Sequence, residues 1–227
     1  MSAELPTVAT LLKPHGLIVR GGFHPTRKDV VPGEPATLVL IGNAGPHMWQ
    51  AFEAARAAGR YADSVNPLDD WVRDALSAVA AQLGAASLYP FGGPPHLPFQ
   101  RWAQRAEAVA PSPLGVLIHP DYGLWHAYRG ALAFAERHDL PPRDTRPRPC
   151  DTCADKPCLT ACPVDAFGAD SYDVPACVGH ISNPEGADCM ALGCRARRAC
   201  PVGQEFIYEP AHAAFHMAAF RRAQGGD

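Results

Sequence analysis

The chain has 227 residues, of which 47% are hydrophobic and 19% charged, with a formal net charge of −3. That composition excludes a disordered chain, and the slight negative charge excludes a global basic field recruiting nucleic acid or anionic lipid. No apolar run approaches the roughly 18 residues a membrane helix needs, and "MSAELPTVAT" lacks the basic and apolar regions of a secretory signal, so a cytoplasmic protein is expected.

Residues 5–12 read as a helix and "GLIVRGGF" (16–23) as a strand broken by glycine. "ATLVLIGNAGPHMWQAFEAARAAG" (36–59) reads as strand, glycine-rich turn and helix. The Gly42–Gly45 turn lacks the dinucleotide-binding fingerprint, so a plain strand-to-helix turn is expected. After Asn66 as cap and Pro67 in the first turn, Leu68, Trp71, Val72, Ala75, Leu76, Val79, Ala80 and Leu83 recur at helical spacing up to Gly84. "ASLYPF" (86–91) reads as a strand, 99–109 as a helix, and 115–120 and 129–136 as strands. Strands alternating with helices mean an α/β or α+β layered domain over 1–139. Residues 140–149, rich in proline and carrying Arg143, Arg146 and Arg148, read as an extended linker.

All eight cysteines lie between Cys150 and Cys200. A disulfide framework would staple the whole chain, so 150–208 reads as a cofactor module. The spacing is Cys150-x2-Cys153-x4-Cys158-x3-Cys162-Pro163, then Cys177, then Cys189-x4-Cys194-x5-Cys200-Pro201. Closely spaced thiolates with a distant thiolate before proline suit cubane clusters whose fourth ligand crosses over from the other half. Zinc also accepts four cysteines, but zinc knuckles usually pair two C-x2-C elements. Residues 209–227 read as a C-terminal helix and tail. His212 and His216 stand four apart there, but Ala213 replaces the glutamate of a zinc-protease helix, which favours packing.

The cysteine run resembles the two-cluster bacterial ferredoxins, especially the ferredoxin segment of epoxyqueuosine reductase and reductive dehalogenases. The resemblance implies one [4Fe–4S] cluster on Cys150, Cys153, Cys158 and Cys200, and another on Cys162, Cys177, Cys189 and Cys194. Two spacings depart from the ferredoxin pattern: x4 stands for x2 between the second and third ligands, and x4/x5 stretches the second half.

Upstream, "VLIHPDYGLWHAYRGAL" carries I-H-P-x-aromatic-G-x-W-x-A-x-R-G. It is similar to the strand-loop-strand of the cobalamin-processing chaperones, which strip the upper ligand from cobalamin. "NPLDDWV", "WAQRAEAV" and "LVLIG" echo the same family in the same order. The resemblance implies a flavin-reductase/nitroreductase-like α+β fold followed by the small two-cluster domain. It also implies a corrin site at His119, Tyr122, Gly123, Trp125, Tyr128 and Arg129. Tyr128 would stand where the family's backbone meets the corrin, and Arg129 where its arginine contacts a thiol cosubstrate. His119 is expected to be a structural hydrogen-bonding residue rather than a cobalt ligand.

The implied function is electron transfer from the clusters to a bound corrinoid, as cobalamin reduction or decyanation, fed by an external low-potential donor. Alternatives are a corrinoid- or flavin-dependent reductase of an organic substrate, like epoxyqueuosine reductase, and a ferredoxin-type carrier without catalysis. Flavin is the lesser cofactor alternative.

Overall fold

The computed structural model describes residues 5–168 and 171–225. The elements are α1 Leu5–Leu12, β1 Ile18–Phe23, β2 Thr37–Ala44, α2 His47–Ala57, α3 Pro67–Leu83, β3 Ala86–Leu88 and α4 Phe99–Ala106, followed by β4 Ala110–Pro111, β5 Leu117–Ile118 and β6 His126–Phe134. The cysteine segment adds α5 Pro157–Thr160, α6 Val174–Ile181, α7 Ala187–Leu192, α8 Arg195–Arg198 and α9 Pro210–Ala223. The α+β class expected from the sequence is the one found. No helix among the described residues is long and apolar enough to cross a membrane.

The chain forms two compact units, and their boundary does not follow the sequence. One comprises residues 5–108 with His126–Thr145; the other comprises Val109–Trp125 with 146–225. The sequential division expected near residue 140 differs because apolar residues of 109–125 are buried among the cysteines, as described below.

The first unit is built on an antiparallel sheet ordered β1-β2-β6-β3. Every residue of β2 from Thr37 to Asn43 is buried, so the strand reads as an apolar run rather than an alternation. In α3 the expected stripe is buried from Leu68 to Ala80. The expected side-chain cap by Asn66 does not form. Instead Ser64 Oγ accepts from Asn66 N at 3.1 Å and donates to Asp70 Oδ2 at 2.6 Å, tying the entering chain to the first turn. The strand expected at 115–120 shrinks to Leu117–Ile118, while the one expected at 129–136 begins three residues earlier, at His126, by pairing with Ala44.

Two irregularities shape the sheet. The register between β1 and β2 slips between Val19 and Gly22, and that between β2 and β6 slips between Ile41 and Gly42. Arg20 and Gly21 occupy the first slip. The second leaves Arg129 without a partner, between Tyr128 opposite Gly42 and Gly130 opposite Ile41. Each is a β-bulge, and a bulge re-aims the side chain it carries. Gly42 lies between them: a Cβ there would fall 2.1 Å from the Ala127 carbonyl oxygen, so only glycine lets the strands approach.

In the second unit β4 and β5 form a two-residue antiparallel ladder, with Ala110 opposite Ile118. Leu114, Ile118 and Leu124 share one apolar cluster with Cys158, Cys162, Ala166, Ala196 and Cys200. The apolar core of this unit therefore includes its own thiols, Cys158, Cys162 and Cys200.

Candidate metal centres and the aromatic hairpin

Short helices present the thiols. Cys150 lies in the turn Pro149–Asp151, Cys158 in α5 and Cys162 just after it. Cys177 stands in α6, where Asp173 Oδ1 accepts from Ala176 N at 2.9 Å and fixes the helix start. Cys189 lies in α7, Cys194 precedes α8 and Cys200 follows it. None of the eight is in a disulfide.

The thiols divide between two cavities. Cys150, Cys153, Cys158 and Cys200 line one with Pro113, Ile118, Pro149, Lys156, Pro157, Pro201 and Val202. Cys162, Cys177, Cys189 and Cys194 line the other, beside Phe167, His180, Ile181 and Met217. Each cavity is small, about 20 Å³. α5 and α8 both join the sets, since each connects a thiol of one with a thiol of the other. Among the described residues no three His, Cys, Asp or Glu side chains stand where a single metal ion would bind.

The electrostatics follow the same division. Burial, then Cys200, Cys150 and Cys153, push the Cys158 thiol up, and burial with Cys150 and Cys153 pushes up Cys200. Burial raises Cys177 against a hydrogen bond from the Tyr172 hydroxyl, with Cys162 and Cys189 adding to the rise. Cys194 is raised by burial, then by Cys189 and Cys177. Four clustered thiols resist ionising together until a cation compensates them.

The hairpin 109–125 is fastened to this unit through its backbone. His119 and Gly123 exchange hydrogen bonds of 2.8 and 3.0 Å. His119 Nδ1 accepts from the amides of Asp121 at 3.0 Å and Tyr122 at 3.2 Å, and its ring stacks on Tyr122 at 4.4 Å. Asp121 Oδ2 lies 3.9 Å from the same nitrogen, beyond hydrogen-bond reach. Asp121 instead pairs with Arg146 through two 2.6 Å bonds, which hold its carboxyl below its usual range.

Gly123 has φ +54°, and a Cβ there would lie 1.9 Å from the Val202 carbonyl oxygen. Gly203, at φ +73°, meets Tyr122 in the same way, at 2.4 Å from its carbonyl carbon. The two chain segments cross with no room for a side chain, two residues beyond Cys200. Trp125 is 1% exposed and lies edge-on to Tyr208 at 5.5 Å, while Tyr122 is edge-on to Phe206 at 5.0 Å.

Tyr128 and Arg129 belong to the sheet unit. Arg20, 1% exposed, pairs with Glu107 at 2.7 Å and lies over the Tyr128 ring at 4.7 Å. The Tyr128 hydroxyl donates to the same Glu107 carboxylate; burial, opposed by Arg20 and helped by Glu107, raises its pKa far above the usual range. Arg129 Nε donates to Asn43 Oδ1 at 2.9 Å. The six residues expected to form a corrin site are thus divided, His119, Tyr122, Gly123 and Trp125 in the cysteine unit and Tyr128 and Arg129 in the sheet unit.

On α9, His212 is fully buried, stacks on Tyr208 at 3.8 Å and places Nε2 3.1 Å from His216 Nε2. Sequence reasoning missed Arg20, Glu107, Arg197, Tyr172 and Tyr208. Arg20 left a signal, a charge inside an apolar strand next to Gly-Gly. Arg197 left another, three residues from a cysteine on either side.

This α+β architecture has relatives among solved structures. Over 96% of this chain and 93% of the other, it is similar to the B12-trafficking protein CblC of C. elegans, at 15% identity and a TM-score of 0.56. Over 89% of its length it is similar to epoxyqueuosine reductase of Streptococcus thermophilus, at 13% identity and a TM-score of 0.54. It spans 66% of that reductase chain, just under two thirds. No protein-family model matches the chain, and no curated protein matches it. At these identities the likeness establishes a related fold.

Proposed function

We propose that this protein is an iron–sulfur oxidoreductase with two [4Fe–4S] clusters that pass single electrons to a bound corrinoid. The reaction would be cobalamin reduction or reductive removal of its upper ligand. One observation carries the reading: eight cysteines sort into two sets of four, each round its own cavity and each electrostatically coupled within itself. Four thiols round each cavity match the four cysteine ligands of a [4Fe–4S] cluster. A cluster supplies one electron at a time, and its potential follows the charge, hydrogen bonds and burial around it. One electron delivered to cyanocob(III)alamin yields cob(II)alamin and a cyanide ion.

The corrinoid half of the proposal draws on the I-H-P-to-R-G pattern and on the fold shared with a B12-trafficking protein. His119, Tyr122, Gly123, Trp125, Tyr128 and Arg129 remain the candidate corrin-contacting segment. The hydrogen bonding of His119 within its own turn favours the structural role expected for it. An external low-potential donor would reload the clusters, and a thiol cosubstrate at Arg129 is the family-like addition. Reduction of an organic substrate is the second reading, favoured by the fold shared with epoxyqueuosine reductase.

Anaerobically purified protein should hold about eight irons and eight labile sulfides per chain. Added cobalamin should shift its visible spectrum, and cyanocobalamin should turn over with no RNA present. Stoichiometric zinc without labile sulfide would end the cluster reading. Intact clusters with no cobalamin binding would leave a carrier.

A further inference from the structure

α8 is the four-residue helix Arg195–Arg198, with Cys194 of one set before it and Cys200 of the other after it. Arg197 lies three residues from each. Its neighbours Arg195 and Arg198 both pair with Asp188, so their charges are compensated. Arg197 turns the other way. Its Nε and Nη2 donate to the Leu124 carbonyl at 3.0 and 2.5 Å, and its guanidinium carbon lies 4.4 Å from the Trp125 ring centroid and 4.7 Å from that of Tyr208. Trp125 is 1% and Tyr208 4% exposed, so two buried π-faces and a carbonyl hold this cation. Among the described residues no carboxylate pairs with it.

A cation kept half-buried without an anion is costly unless another charge faces it. Four thiolates round an iron–sulfur cluster make an anion, and reduction adds a further negative charge to it. On the reading proposed above, Arg197 is the fixed positive charge on the helix that joins the two clusters. We infer that Arg197 is a redox-positioning residue whose uncompensated charge raises the reduction potential of both clusters, and whose aromatic and carbonyl clamp holds that charge in place. Arg197 contacts no reacting atom; it acts through the electrostatic field.

The test is an EPR-monitored redox titration of wild-type, Arg197→Lys and Arg197→Met holoprotein, after iron and sulfide analysis of each. At the wild-type midpoint, Arg197→Met should lower the reduced-to-oxidised ratio of both clusters by about tenfold, the scale of one unit charge acting over about 12 Å at an effective dielectric of about 20. Arg197→Lys should recover most of the ratio, because it keeps the charge although it loses the forked hydrogen bond. Unchanged potentials in an iron-replete Met variant would overturn the inference. If Lys and Met variants lose iron equally, the residue is structural and the inference fails as well. Wild-type protein without iron would instead sink the cluster reading itself, so the two failures are distinguishable.

Discussion

Two buried or half-buried arginines show how differently the two units treat charge. In the sheet unit Arg20 meets Glu107, the same carboxylate takes the Tyr128 hydroxyl, and the network closes on itself. In the cysteine unit Arg197 has aromatic faces and a carbonyl but, among the described residues, no anion, and eight thiols surround two cavities. A closed network is a finished piece of folding. An open one is finished only by something the polypeptide does not supply. On the proposed reading, the sheet unit should therefore fold by its own sequence, and the cysteine unit should depend on its clusters.

Metal removal gives the largest expected effect. Chelation of iron should abolish amide-exchange protection in α5 to α8, because the core there includes thiols that like-charge repulsion and burial leave without compensation. Protection in β2 and β6 should persist. Equal loss in both units would break the comparison.

A smaller effect is expected from Gly123→Leu. The side chain has no space beside the Val202 carbonyl, and φ +54° disfavours any residue with a Cβ. The corrin site that the resemblance implies would have a bulky residue here block a ligand and spare the clusters. The crossing with Val202–Gly203 changes that expectation: destabilisation of about 2–4 kcal/mol and loss of the cluster at Cys200. Iron analysis and thermal melts of the variant check it, and full iron content would refute it.

The smallest effect lies in the sheet unit and depends on pH. Burial raises the Asp29 carboxyl, but hydrogen bonds from Arg105 and Thr26 outweigh it and hold it below its usual 3.8. A depressed folded pKa gives stability that is complete above the unfolded value and lost as pH falls through the folded one. Melting temperatures of the wild type should therefore drop on acidification below about pH 4, and Asp29→Asn should flatten that drop while lowering stability at neutral pH. Parallel acid limbs in the two proteins would remove Asp29 from the account.

How far the sequence reached depends on whether the relevant signal is local. The α3 stripe and the β2 run were legible, because burial periodicity is written into neighbouring residues. The sorting of eight cysteines into two sets was legible only through resemblance, since the two sets interleave along the chain. The bulges at Arg20–Gly21 and Arg129 were not legible, because each arises from a mismatch between two strands distant in sequence. Nor was the membership of Val109–Trp125 in the cysteine unit. "IHPDYGLWHAYRG" reads as one continuous loop, yet it is divided after Trp125: Ile118 and Leu124 are buried among thiols, while His126–Phe134 enters the ladder with β2. Sequence by itself determined which residues must be buried and which can ligate. Only the tertiary structure decided which of them share a core, because burial is satisfied by any apolar partner and close backbone crossings, such as Gly123 on Val202, select among them.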